Sequence, residues 1–97
     1  MTETFVPSDK WQNVPPFAKL TGREIKYLTL FVGGQNDEEI AAVCGTKPGT
    51  VKGALRIALN KVRGLDDIGG TMPDYSNRNV VGQLLIKQGY FEPAPEA

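Results

Sequence analysis

GTKPGTVKGALRIALNKVR, residues 45–63, is the stretch that decides the fold of this chain. Its glycines and proline predict a tight turn, and Pro48 suits the first turn of a helix, where its missing N–H would have no partner. Apolar and basic residues then recur at helical spacing on opposite sides. The predicted inner residues are Val51, Leu55, Ala58, Leu59 and Val62, and the predicted outer residues are Lys52, Arg56, Asn60 and Arg63.

Charge is unevenly distributed along the sequence. The 97 residues, enough for one small domain, have a formal net charge of zero. Residues 45–63 nevertheless contain five Lys/Arg and no acid, whereas residues 64–97 contain two Lys/Arg and five acids. A basic patch of this kind is what a nucleic-acid-binding protein needs, although a solvated helix face explains the charge alone equally well.

Several classes of function are disfavoured by missing residue types. The chain has no histidine and one cysteine, so a disulfide framework and the common metal sites are excluded. A phosphate-binding P-loop requires Lys-Ser/Thr directly after its second glycine, but Gly49 is followed by Thr50-Val51-Lys52. The adjacent acids at 37–39 would diverge on a helix and cannot form a facing catalytic pair. We therefore predict no enzyme, no catalytic residue, no metal and no cofactor.

The sequence also gives an expectation for location. No apolar run approaches the ~20 residues of a membrane span, and the N-terminus lacks the apolar segment of a signal peptide. A cytoplasmic protein without a membrane partner is therefore expected.

The remaining helices are predicted from start and stop signals. Thr21 followed by Glu24 has the capping-box pattern, and Asn36 or Asp37 can begin a second helix that Gly45 ends. The turn-rich residues 64–75 predict a loop, after which Ser76 or Asn77 can cap a fourth helix. The predicted fold is all-α, with a three-helix core plus a C-terminal fourth helix. The predicted divisions are an extended N-terminal arm (1–19), a helix-turn-helix domain (20–91) and a flexible tail (92–97). Within the domain, helices are predicted at about 21–33, 37–44, 48–63 and 77–88.

Two helices joined by a short glycine-containing turn, the second basic on its outer side, are typical of a helix-turn-helix. In that motif the second helix enters the major groove of DNA. Glycines at 49 and 53 would then leave room for close approach to the duplex. The alternative is an ordinary three-helix bundle that happens to be basic.

Residues 20–63 resemble the LuxR/GerE-type DNA-binding domain. The resemblance rests on L-T-x-R-E at 20–24, E-I-A at 39–41 and T-V-K at 50–52, and it extends to the fourth helix and Gly89-Tyr90-Phe91. Residues 37–63 are also similar to the promoter-reading C-terminal domain of extracytoplasmic-function sigma factors. Both families share the helix-turn-helix, so either resemblance implies the same fold.

The resemblance implies roles for individual residues. Thr50 would bind a phosphate, Val51 and Lys52 would face base edges, and Arg56 and Lys61 would lie by the DNA backbone. The complete predicted DNA-binding set is Lys47, Gly49, Thr50, Val51, Lys52, Arg56, Asn60, Lys61 and Arg63. The fourth helix commonly supports dimerisation in this family, which assigns that role to Val80, Val81, Leu84 and Leu85.

One departure from the family pattern keeps a second function open. Asn36-Asp37-Glu38 stands where the family usually has Ser-Asn-Lys, and the acids would repel phosphate if they faced DNA. The first hypothesis is a small stand-alone, sequence-specific transcriptional regulator that binds double-stranded DNA as a homodimer. The second is a protein-interaction module on the same fold that antagonises or modulates a transcription factor or RNA polymerase.

Overall fold

Helices account for most of the residues that the structure describes. The structure is a computed structural model, and it describes residues 4–69 and 78–94. Five α-helices, two short 3-10 helices and a two-stranded sheet occur in these ranges. In chain order they are β1 (Phe5–Pro7), 3-10 helices at Asp9–Asn13 and Pro16–Ala18, α1 (Gly22–Val32), α2 (Asp37–Cys44), α3 (Pro48–Val62), α4 (Asp66–Gly69), α5 (Arg78–Lys87) and β2 (Phe91–Pro93).

Local signals in the sequence fix where α1 and α2 begin. The Thr21 side chain accepts from the Glu24 N–H at 3.1 Å, and Glu24 accepts from the Thr21 N–H at 2.9 Å. Asn36 and Glu39 form the same reciprocal pair at 2.8 and 3.0 Å. Each pair satisfies two backbone donors that a helix start leaves open. The predicted capping box at Thr21 is confirmed, and Asn36 rather than Asp37 is the cap of α2.

The core lies where α1, α2 and α3 meet. Leu28 of α1 and Ile40 of α2 are fully buried against the inner side of α3. Full burial of one such side chain stabilises the fold by about 1.5–3 kcal/mol. The helix α5 packs against α1, and the contact is close at Gly82, where a Cβ atom would lie 3.2 Å from Cε2 of Phe31.

The N-terminal segment packs on the folded body, and it contains a strand and two 3-10 helices where an extended arm is predicted. Its strand β1 pairs antiparallel with β2, with Val6 opposite Glu92. The Trp11 indole is 7% exposed, and its Nε1 donates to the carbonyl oxygen of Tyr90 at 2.8 Å. Its ring also lies 5.6 Å from that of Phe91, between centroids.

Three further expectations need correction. The fold is not entirely α-helical, because β1 and β2 form a sheet, and Glu92 and Pro93 of the predicted flexible tail belong to β2. The short helix α4 also lies within the predicted loop 64–75. Strands of three residues that contain proline have no detectable alternation, which is why the sequence gives no strand signal. Ser76 and Asn77, the predicted caps of the fourth helix, lie outside the described residues.

A polar network joins the N-terminal segment to the other end of the chain. Lys10 Nζ contacts Asp67 Oδ2 at 2.7 Å and donates to the carbonyl oxygen of Gln88 at 2.7 Å. The Tyr90 hydroxyl donates to Asp67 at 2.9 Å. Burial raises the pKa of Asp67, but the hydrogen bonds from Lys10 and Tyr90 outweigh it and lower this pKa below its usual value. Burial and the Asp67 carboxylate both raise the pKa of Tyr90.

We expect the stability of the fold to fall in acid through Glu24 and Asp67. Burial raises the Glu24 pKa, but hydrogen bonds from Lys61 and Thr21 outweigh it, so the folded-state pKa of both carboxyls is lowered. Their contribution is fully present above the unfolded-state values of about 4.3 and 3.9 and is lost as the pH falls through the lower folded-state values. Urea unfolding at pH 7, 5 and 3 measures this loss.

The matched control for the acid experiment is a variant that carries Glu24→Gln and Asp67→Asn. It should start from a lower stability at pH 7 and lose less between pH 5 and pH 3 than the parent protein. An equal loss in both proteins would show that other carboxyls govern acid unfolding.

Candidate nucleic-acid interface

The helix α3 presents two chemically different sides. The five residues predicted to face inward are all buried, with Val51, Leu55, Ala58 and Val62 at 0% exposure and Leu59 at 2%. On the opposite side Lys52, Arg56 and Asn60 are exposed. Because the inner side of α3 is buried in the core, the outer side is the part of the helix that remains available to a partner.

A shallow depression runs along this outer side. Its lining residues are Lys52, Arg56, Leu59, Asn60 and Arg63, and none of them is acidic. Arg63, which follows the last residue of α3, donates from Nη1 to Asn60 Oδ1 at 3.1 Å. The cationic side chains along this depression give a surface that is complementary to a polyanion.

Lys61 does not line this depression, although the predicted DNA-binding set includes it. Its Nζ contacts Glu24 Oε1 at 2.8 Å, and the Glu24 side chain is only 9% exposed. Removing the lysine would leave a buried carboxylate without its counter-charge, which is strongly unfavourable. Lys61 therefore holds α3 against α1. Glu24 thus has two structural contacts, because it also completes the capping box of α1.

Val51 also needs correction, because it was predicted to face base edges. It is 0% exposed and belongs to the core formed by the helices. A side chain without accessible surface cannot contact a base. Its neighbours Thr50 and Lys52 are exposed and remain available.

Gly49 and Gly53 lie on the exposed part of α3 without a packing reason to be glycine. A Cβ atom added at either position would meet nothing within 4 Å, and neither has a positive φ. Glycine within a helix destabilises a fold by roughly 0.5–1 kcal/mol relative to alanine. The fold therefore does not require glycine at these two positions.

The start of α3 follows a turn whose geometry is well defined. Gly45 ends α2 in the left-handed conformation, with φ at 66°, which only glycine adopts without strain. Lys47 precedes Pro48 and is exposed, with no side-chain hydrogen bond to the helix start. Lys47, Gly49 and Thr50 thus surround the N-terminus of α3, where the helix dipole favours an anion.

A second groove, of about 420 Å³, adjoins this turn. Arg23 and Lys26 of α1 line it together with the end of α2 and residues 45 and 46. Neither basic residue belongs to the predicted DNA-binding set. Their i, i+3 spacing places them on one side of α1, but only the packing of α1 against α2 shows that this side meets the turn.

The acids at the start of α2 have a structural role that accounts for part of their presence. Glu39 completes the capping box of Asn36, and Asp37 and Glu38 lie in the first turn, where negative charge is favoured by the helix dipole. Glu38 is exposed. The acidic first turn is therefore a property of the helix start, and Glu38 also adds negative charge to the surface.

The predicted dimerisation residues of α5 do not share one environment. Val81 and Leu85 are 0% exposed and pack into the core, so they are unavailable to a second copy of the chain. Val80 and Leu84 are half-buried and pack against the same core. The apolar pattern over two turns of α5 is therefore explained by packing inside the domain, because α5 covers α1.

Comparison with family models, curated proteins and solved structures returns no match to this chain. The resemblance of residues 20–63 to the LuxR/GerE-type domain therefore stays a prediction. Within the described ranges, no helix has the length and apolar character needed to cross a bilayer, and no group of three or more His, Cys, Asp or Glu side chains is arranged to hold a metal ion.

Proposed function

We propose that the chain is a sequence-specific regulator of transcription that binds double-stranded DNA and inserts α3 into the major groove. The observation that carries this proposal is the exposed row of Lys52, Arg56 and Asn60 on a helix whose other side is entirely core. The major groove of B-form DNA admits one α-helix, and side chains on its outer side then reach base edges.

The residues around α3 would make two kinds of contact with DNA. Lys47 and Thr50, at the N-terminus of the helix, are placed to bind phosphates, which fix the orientation of a protein on the duplex. Lys52, Arg56 and Asn60 lie further along the outer side, where lysine and arginine suit guanine and asparagine suits adenine. Arg63 extends the basic rim beyond the end of the helix.

The helix-turn-helix is the proposed framework for this contact. The pair α2 and α3, joined through the Gly45 turn, has the order that the motif requires, and α1 braces α3 through Glu24 and Lys61. A LuxR/GerE-like domain or the similar sigma-factor domain fits this order. A homodimer remains part of the proposal, but its contact on α5 would have to use Val80 and Leu84.

A protein-interaction module is the second candidate, and the exposed side of α2 favours it. Val43 is 58% exposed, and Glu39, which precedes it by one helical turn, is exposed and acidic. An apolar residue beside an acid suits a basic protein surface, such as one on a transcription factor or RNA polymerase. The two candidates differ in whether duplex DNA alone is bound with sequence preference.

Gly53→Ala is expected to change stability and DNA binding in opposite directions. The added methyl meets nothing within 4 Å, so the variant should be more stable by about 0.5–1 kcal/mol. If α3 lies in the groove, the methyl occupies space between the helix and the bases, and affinity should fall several-fold. Urea unfolding and fluorescence anisotropy with a labelled duplex measure the two effects.

The matched control for this experiment is Gly22→Ala at the start of α1, where a Cβ atom is equally unhindered. It should leave DNA affinity unchanged. Unaltered affinity in Gly53→Ala, or equal losses in both variants, would count against insertion of α3 into the groove.

A further inference from the structure

Ile57 is an unusual residue on the outer side of α3. It is 55% exposed, although single apolar residues are common on protein surfaces and exposure alone carries no argument. Its position is the informative feature. Residues 49, 53 and 57 are spaced four apart and therefore lie in one row along the helix. The first two are glycines, so Ile57 is the only one of the three that projects a side chain.

The surroundings of Ile57 determine what kind of partner can cover it. Lys52 and Arg56 lie to one side, and Asn60 is its i+3 neighbour. An apolar protein surface docked on Ile57 would also bury these cations without counter-charges, which is costly. A DNA duplex can cover both the apolar Ile57 and the neighbouring cations. Its phosphates supply counter-charges for the cations, and its major groove contains one apolar group.

That apolar group is the 5-methyl of thymine, the only methyl that an unmodified base pair presents in the major groove. On the basis of the proposed function, we propose that Ile57 packs against a thymine methyl and makes the protein selective for an A·T pair at that position. Gly49 and Gly53 let the backbone approach the bases, so the branched Ile57 side chain reaches a methyl that a more distant helix would miss.

The experiment uses a duplex enriched by the wild-type protein from a random 20-base-pair pool. Each thymine is replaced singly by uracil, which pairs with adenine and lacks only the methyl group. Wild-type affinity should fall roughly three- to fivefold at one thymine per half-site, as expected for burial of one methyl group. Ile57→Ala should bind the thymine and uracil forms at that position equally. Circular dichroism verifies its fold.

Lys52→Ala is the matched control, since it should weaken binding to both forms while preserving the thymine dependence. Wild-type protein that binds every uracil duplex as tightly as the thymine duplex would overturn the role of Ile57 and leave DNA binding intact. Retention of the uracil effect in Ile57→Ala would overturn it as well. Failure to enrich any duplex would overturn both the thymine contact and the proposed function.

Discussion

Charge reversal at Lys52 and Arg56 is expected to abolish specific DNA binding. The variant Lys52→Glu/Arg56→Glu replaces two exposed cations of the outer side of α3 with acids that repel phosphate. Loss of one base-contacting cation reduces affinity by about 1–3 kcal/mol. Two losses with added repulsion should lower affinity by roughly 100-fold or more. Electrophoretic retardation of a duplex enriched by the wild-type protein measures the effect.

The control for this variant is Lys19→Glu/Lys87→Glu, which has the same net charge but alters exposed lysines outside α3. It should weaken binding only slightly and non-specifically, through long-range electrostatics. Both variants should unfold at urea concentrations close to that of the parent, since all four side chains are exposed. Wild-type retardation by the α3 variant would show that this surface does not bind DNA.

Trp11→Ala is expected to destabilise the entire domain, because the N-terminal segment is part of the core. The indole is 7% exposed, contacts the rings of Tyr90 and Phe91, and donates a hydrogen bond to a carbonyl oxygen of the C-terminal segment. Truncating a large buried aromatic side chain destabilises a protein by about 3–5 kcal/mol. The free energy of unfolding of a whole protein is about 5–15 kcal/mol, so this substitution would remove a large part of the stability. Urea unfolding measures the change.

Phe17→Ala is the comparison on the same segment, since Phe17 is 57% exposed. It should have a much smaller effect, because most of its ring is already in water. If Trp11→Ala and Phe17→Ala destabilise the domain equally little, the N-terminal segment does not contribute to the stability of the domain.

The sequence predicts α1, α2 and α3 well because their signals are local. Capping pairs such as Thr21 with Glu24, the glycine at 45 and the proline at 48 act within a few residues, and the observed α1, α2 and α3 begin and end within a residue of the predicted spans. The sheet and the buried Trp11 depend on contacts between residues about 80 positions apart. No local pattern carries that information.

The limits of the predicted site have a similar cause. Periodicity placed Lys52, Arg56 and Asn60 on the outer side of α3, where the structure has them. It could not show that Lys61 meets Glu24, because that contact depends on how α3 packs against α1. For the same reason it could not separate a dimer surface on α5 from a core surface, as Val81 and Leu85 demonstrate.

Selection of bound duplexes from a random pool tests the central proposal most directly, using the wild-type protein and the Lys52→Glu/Arg56→Glu variant in parallel. The proposal predicts that the wild type enriches one sequence motif and the variant enriches none. A homodimer would add a second half-site about 10 base pairs from the first. Sequences from the wild-type selection that match the input pool would contradict specific DNA recognition by α3 and favour a protein partner instead.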